Sequence, residues 1–500
     1  MIENPKLAEL RHRLAEISDL QHAEAVLGWD QLVMMPRSGA PARAHQLATL
    51  HAIAHDRFID PGLGELLDEL EEYAASLPYD SDDASLIRVT RRDWDKAVRV
   101  PTELTAAMVQ LASEAVEAWT AAREADDYDA FRPWLDRTLE LRARYQACFE
   151  PVDDPYDVHL DDFEPGMKTA QVRAVFDRIR PALQELTVQG ARDVVEPFES
   201  AHYPAGRQHE LSLQLMRAFG ADDAFRLDTT VHPFCTSFAI ADIRLTTRYA
   251  EDDLHGNSIF STMHEAGHGL YERGVSATLE RTPLASGCSS ALHESQSRLW
   301  ENVIGRSLPF WRWFYPHMQA AFPKPLGGVS LERFHRAVNG VRRSLVRVDA
   351  DEVTYGLHII LRFELEEQLL SGTLSTADVP EAWNTRFEEL VGVPVPNDRL
   401  GCLQDVHWSG GSFGYFPTYQ LGNVISSQIW ARLLEDVPDA EEQIERGSFE
   451  EIHGWLRDHL YALGRKLTPQ ETLERVVGGP IDPEPYVDYL RAKVDSLSAV

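Results

Sequence analysis

A chain of 500 residues, 44% apolar and 26% charged, can bury a large core and exceeds the length at which one compact core stops growing, so two lobes are expected. Its 80 acidic residues face 48 basic ones, a net charge of −32 that argues against nucleic acid and anionic membrane as partners. No run reaches the ~18 apolar residues of a membrane span, and the opening "MIENPKLAELRHRL" lacks the apolar stretch of a secretory signal, which sets the expectation of a cytoplasmic protein.

Only six of the 48 basic residues are lysine. Excess carboxylate with so little lysine suits concentrated salt, where a Debye length of ~3 Å at 1 M screens the self-repulsion, so a halophilic protein is expected over an ordinary acidic one. The four cysteines, Cys148, Cys235, Cys288 and Cys402, are far apart and fit neither a paired framework nor a CxxC zinc spacing. They read as free, buried thiols.

Helical periodicity dominates the chain. Apolar residues recur at i, i+3, i+4 and i+7 in "LAELRHRLAEISDLQHAEAVLGW" (7–29), "TELTAAMVQLASEAVEAWTAARE" (102–124), "AQVRAVFDRIRPALQELTVQG" (170–190) and "TYGLHIILRFELEEQLLSG" (354–372). Strand character is confined to about residues 225–250, rich in Thr, Phe, Ile and Val, and predicts a small sheet. The breaks at 153–157 and 323–330 read as loops. No repeat, low-complexity tract or Gly/Ser linker divides the chain, so residues 1–500 are taken as one mainly α catalytic unit.

Directly after the strand region stands "NSIFSTMHEAGHGLYERG", residues 257–274. On a helix, His264 and His268 lie one turn apart on one face and can offer imidazole nitrogens to a single ion, with Glu265 beside them. That geometry suits Zn²⁺. Catalytic zinc keeps three protein ligands and one open position, so a third ligand is needed. Glu294, in "ALHESQSRLWEN", is the candidate: it lies on a second helix, far enough along for a loop and an antiparallel return. Buried histidines satisfied within a helix are the competing explanation.

With these residues in place, the chain resembles the carboxypeptidase Taq family of metallocarboxypeptidases over nearly its whole length. The family's motifs stand in order: "HPF" at 232–234, "DIRLT" at 242–246, HExxH at 264–268, "HESQ" at 293–296, "VRVDAD" at 346–351 and "GCLQDVHW" at 401–408. Val346 replaces an isoleucine of the family pattern. Where thermolysin-type enzymes carry an aspartate four residues past the third ligand, this chain has Arg298. The partners that orient the zinc histidines are therefore unassigned at this point. The resemblance implies a two-lobed helical metallopeptidase with a deep groove, a homodimer, and a zinc site that also accepts cobalt. It also implies that the His232 segment and the "DIRLT" strand close one end of the groove.

The other motifs allow further roles. Asp242, Arg244 and Thr246 alternate on a strand and so share a face, either a cleft wall or a solvated surface. Arg347 can grip a carboxylate through two parallel hydrogen bonds, or pair internally with Asp349 or Asp351. Glycines around His407, Tyr415 and Tyr419 suggest polar groups delivered to a site on a shaped loop, with packed core tyrosines as the alternative. The expected chemistry is release of C-terminal residues from peptides with broad preference. Glu265 is general base and then acid, a donor among Tyr419, Tyr415 and His407 steadies the oxyanion, and Arg347, with Arg244 in reserve, holds the terminal carboxylate. An endo-acting oligopeptidase on a similar scaffold, and a helical binding protein without activity, are the alternatives.

Overall fold

The computed structural model describes residues 4–191 and 195–498. Helices form where the periodicity placed them: Pro5–Val33, Thr102–Ala125 and Thr169–Gly190 enclose the first three quoted segments, and Tyr355–Leu370 spans all but the ends of the fourth. The two predicted loops are partly helical, as Pro155–Leu160 and Pro323–Leu326. Each of these short helices begins with a proline, whose fixed φ suits the first helical turn and whose missing N–H is not needed there.

The strand region folds as β1 (Phe225–Thr229), β2 (Cys235–Ala239) and β3 (Asp242–Thr247). The sheet order is β1-β3-β2, with β1 parallel and β2 antiparallel to the central β3. Ile243 and Leu245 point to the same side of β3 and are fully buried, because alternate residues of a strand share a face. That face packs on the helix Ser258–Gly274, which carries the histidines. Thr246 points to the opposite side, with Asp242 and Arg244, but is fully buried too. Its hydroxyl accepts from Phe234 N at 2.8 Å and donates to Phe234 O at 3.1 Å, which clips the "HPF" segment to the "DIRLT" strand.

One large apolar core runs through most of the helices, and a smaller one joins the first helix and Leu63–Leu70 to Ile240, Val275 and Leu284. The histidine helix belongs to the large core. Ile259, Met263, Ala266 and Leu270 follow at steps of four, three and four residues and are at most 1% exposed, so they form one inward stripe. Truncating such a residue, Leu270→Ala for example, costs about 2–5 kcal/mol. Among the described residues, no helix is long and apolar enough to cross a membrane.

Candidate active site

The histidine helix starts at Asn257, whose side chain accepts from Ile259 N at 3.1 Å. Such a cap satisfies a donor that the first turn would otherwise leave unpaired. The helix Ser290–Arg298 is capped by Ser289 and lies against it. Two glycines permit the close approach. A Cβ on Gly267 would stand 2.5 Å from the Gln296 carbonyl oxygen, and one on Gly422 would stand 2.7 Å from Glu294 Cγ. A side chain at Gly267 would push the two helices apart, and one at Gly422 would push the Glu294 helix away from the helix Phe416–Asp436.

His264, His268 and Glu294 converge, with one ligand atom of each within 4.8 Å of the others. His264 Nε2 lies 3.8 Å and His268 Nε2 3.5 Å from Glu294 Oε2. The far nitrogens have partners that the sequence did not reveal. His264 Nδ1 donates to Glu301 Oε2 at 2.9 Å. His268 Nδ1 meets His293 Nδ1 at 2.6 Å, and His293 Nε2 meets Glu272 Oε1 at 2.7 Å. With Glu272 accepting from His293 Nε2, His293 Nδ1 is the acceptor for His268 Nδ1–H. In their neutral forms both imidazoles thus hold their proton on Nδ1 and turn an Nε2 lone pair to the shared point, the arrangement that a metal-binding histidine needs.

Glu301 reaches His264 from a six-residue π-helical turn, Leu299–Ile304, that continues the Glu294 helix. Arg298 joins the two carboxylates: its Nε donates to Glu294 Oε1 at 2.7 Å and its Nη1 lies 3.4 Å from Glu301 Oε2. It stands where thermolysin-type enzymes have an aspartate, and it braces the candidate third ligand, Glu294, instead.

The electrostatics fit a divalent cation. Glu265, Glu294 and Glu301 outnumber the arginines that reach them, Arg298 and Arg306. Burial opposes a charged His264, yet Glu294, Glu301 and Glu265 outweigh it and lift its pKa to about 9. Burial also works against Glu294, but Arg298 and the two histidines hold its carboxyl far below the usual range. Glu265 is pushed up to about 7, first by burial and then by Glu294 and Glu301, against the pull of His264. A carboxylate poised near neutrality can both take and return a proton. Two imidazole nitrogens and one carboxylate oxygen form the donor set of catalytic zinc sites.

A second cluster surrounds Arg347, which lies in the one-turn helix Arg347–Asp349 and is 7% exposed. Its internal partner is neither Asp349 nor Asp351, because Asp351 accepts from Arg342 N, Val353 N and Thr354 N. Instead, Arg347 Nε and Nη2 donate to Asp405 Oδ1 at 3.0 and 2.8 Å, and Nη1 donates to the Tyr355 hydroxyl at 3.0 Å. The wholly buried Arg362 donates from Nε to Asp405 Oδ2 at 2.6 Å. Two guanidinium groups share one carboxylate. Burial opposes the Asp405 charge, yet Arg362 and Arg347 hold its carboxyl far below the ordinary range.

Tyr419 lies under Arg347, with its ring 5.0 Å from the guanidinium carbon. It sits in the first turn of the helix Phe416–Asp436, and Tyr415 caps that helix, so a helix start presents both tyrosines where the sequence suggested a loop. His407 Nε2 is 3.2 Å from the Tyr419 hydroxyl. Burial pushes Tyr415 up to about 12 and Tyr419 well above its ordinary value, so both keep their protons. Burial pushes His407 down to about 4, which leaves it neutral. The two clusters meet at Tyr355, whose ring takes the Arg298 guanidinium carbon at 4.7 Å and whose hydroxyl takes Arg347.

Arg244 and Asp242 stay outside. Arg244 Nε donates to Asp242 Oδ1 at 2.5 Å, and the guanidinium covers Trp29 and Phe238. His232 is exposed in the bend before β2. Among the described residues, no hydrogen bond or ion pair ties Asp242, Arg244 or His232 to either cluster. The cysteines are free as expected, although Cys148 and Cys235 are only half-buried.

Residues 9–494 match the model of the family described as carboxypeptidase Taq (M32) metallopeptidase. A thermostable carboxypeptidase 1 from Thermus thermophilus is 39% identical over 98% of both chains. A carboxypeptidase 1 from Bacillus subtilis is 35% identical over 97% of both. The crystal structure of an M32 carboxypeptidase from Deinococcus radiodurans superposes with a TM-score of 0.95 at 39% identity, covering 99% of this chain and 100% of that one. Helices, sheet, convergent ligand trio and full-length match agree, and the chain belongs to the carboxypeptidase Taq (M32) family of metallopeptidases.

Proposed function

We propose that the chain is a zinc-dependent carboxypeptidase, one catalytic unit of two helical lobes about a groove, that removes C-terminal residues from peptides with broad preference. The observation that carries the metal half is the pair of Nε2 lone pairs held at Glu294 by Glu301 and by the His293–Glu272 relay. His264, His268 and Glu294 would hold the ion, zinc or in its place cobalt. When bound, it would polarise the scissile carbonyl and acidify a water at its open position.

The chain's own groups do the rest. Glu265 accepts the proton of the attacking water and returns it to the departing amine. Tyr419, Tyr415 or His407 donates to the oxygen that gains charge as the carbonyl becomes tetrahedral. Arg347 binds the terminal carboxylate. Its support is the charge count: Arg347 and Arg362 bring two positive charges against the single charge of Asp405, and a substrate carboxylate balances the surplus. Asp242, Arg244 and His232 act at one end of the groove, where they limit how far a peptide extends.

The working form is taken to be a cytoplasmic homodimer adapted to concentrated salt, which light scattering and activity across a salt series test. The catalytic reading is tested by timed product analysis on a short peptide panel, with and without chelator. Single amino acids released in order from the C-terminus, and loss of release on metal removal, are expected. Internal fragments would show an endopeptidase, and full activity without metal would refute the zinc assignment.

A further inference from the structure

Away from the active site, the structure contains a cavity of about 250 Å³ between the helices Thr169–Gly190, Ser290–Arg298, Phe416–Asp436 and Pro469–Val477. A cavity of ~150 Å³ in another protein holds benzene, so this one is large enough for a small organic molecule. Its floor is apolar, with Val175, Leu292, Leu421, Ile425 and Leu473 all buried. Its mouth is open at Gln171 and Ala174, both exposed, so a ligand can enter without unfolding.

Besides Ser289 and the Gln171 of the mouth, two polar groups break the apolar lining, Glu164 and Gln470. Glu164 is 1% exposed and accepts from the backbone N–H of Ala291, at the start of the Glu294 helix, and from the Ser289 hydroxyl. Among the described residues, no lysine, arginine or histidine pairs with it, and burial pushes its carboxyl up to about 8. The Gln470 Nε2 amide is buried and has no acceptor. A buried amide donor without an acceptor is costly, and so is a buried carboxyl with no cation to balance its charge. Native interiors keep few such groups without a reason.

We propose that this cavity binds a small molecule with a branched or ring-shaped apolar body and an ammonium head. The ammonium pairs with Glu164, the body fills the floor, and an oxygen acceptor on the ligand, where present, takes the Gln470 amide. Free apolar amino acids, the class of product that carboxypeptidases release, and simple alkylamines share this chemistry. The wall residues Leu292 and Leu421 each stand two positions from a residue of the candidate active site, Glu294 and Tyr419, so an occupant bears on both helices.

The test uses the full-length protein loaded with metal and titration calorimetry with 3-methylbutylamine, leucine and 3-methylbutan-1-ol as probes. One-to-one saturable binding is expected for at least one of the two amines, with the alcohol weaker by about tenfold or more, because it lacks the charge that Glu164 pairs. Glu164→Gln should weaken amine binding by a similar factor. Should that variant fail to fold, Ala174→Trp, at the exposed mouth, blocks entry and should abolish binding while the protein remains folded. Tight leucine binding identifies an amino-acid ligand, and binding of 3-methylbutylamine alone identifies a simple amine; both support the site. Alcohol binding as tight as the amine, amine binding untouched by Ala174→Trp, or no saturable binding up to tens of millimolar overturns it.

Discussion

Arg347→Met is the sharpest test of the substrate anchor. A guanidinium has five N–H groups. Two of those on Arg347 go to Asp405 and one to Tyr355. Two remain, enough for both oxygens of a peptide's terminal carboxylate. Methionine keeps most of the volume, and Asp405 retains Arg362, so the substitution leaves no buried carboxylate unpaired. A two-point charge-assisted contact is worth ~1.5–3 kcal/mol, and losing it lowers kcat/KM by about tenfold to about 150-fold. The assay compares a free-acid peptide with the same peptide amidated at its C-terminus. The free acid should lose the full factor, while the residual rate on the amide, which offers no charge to grip, should hardly change. A normal rate of Arg347→Met on the free acid would refute the anchor. A parallel loss on both substrates would place Arg347 in the chemistry or the fold.

Glu265→Gln should retain the metal, measured by elemental analysis, and lose nearly all turnover, because an amide cannot accept the water's proton. Alanine at His264, His268 or Glu294 should weaken metal binding itself, seen as easier loss to chelator. Glu301→Gln keeps the shape but gives His264 a neutral partner, and it should weaken metal affinity about 10–100-fold, read by competition with a chelating dye. Glu199, which is 3% exposed, is disfavoured by burial, yet hydrogen bonds from His255, the Glu196 amide and Arg342 hold its pKa down to about 2. Its folded pKa lies below the unfolded ~4.3, so its contribution is complete above that value and is lost as pH falls through about 2. Glu199→Gln should therefore be less stable than the parent at neutral pH, with the gap in denaturant midpoint closing in acid.

What the sequence revealed follows the range of the interactions involved. His264 and His268 were legible because their separation is one helical turn, and a short-range rule fixes their common face. Their orienting partners lie 37 and 25 residues away, and no local period records such a contact. Glu301 left one trace, its position seven residues after Glu294, which is nearly two helical turns. Asp405 is 58 residues from Arg347, so only the presence of an arginine that needed a carboxylate was readable, and the nearer Asp349 and Asp351 were the natural guesses. The helix Phe416–Asp436 was missed for a different reason. Residues 420–429 are buried all round, and Gln420, Asn423, Ser426, Ser427 and Gln428 are buried with the apolar residues, so no solvent face alternates with a core face. The parallel pairing of β1 with β3 was likewise hidden, because strand character shows where strands occur and leaves their order open.

The bridge between the two clusters bears on why a site of this composition cleaves at a chain end. Arg298 braces Glu294 through its Nε and lies on the ring of Tyr355, and the hydroxyl of that same tyrosine holds Arg347. The links are largely enclosed, with Arg347, Tyr355 and Glu294 all under 9% exposed and the Arg298 side chain 14% exposed. The distance from the ligand trio to the proposed carboxylate anchor is therefore set by a solid run of contacts, with no flexible loop between them. A fixed distance selects a substrate whose carboxylate lies a fixed number of bonds beyond the scissile carbonyl, which a chain terminus satisfies. An internal segment would place an uncharged amide at Arg347 and leave the surplus of the two guanidinium groups unbalanced in a buried site. Desolvation of that unpaired charge costs several kcal/mol. The same geometry that rewards the terminal carboxylate thus penalises internal cleavage, and in the proposed reading exopeptidase selectivity rests on the penalty as much as on the grip.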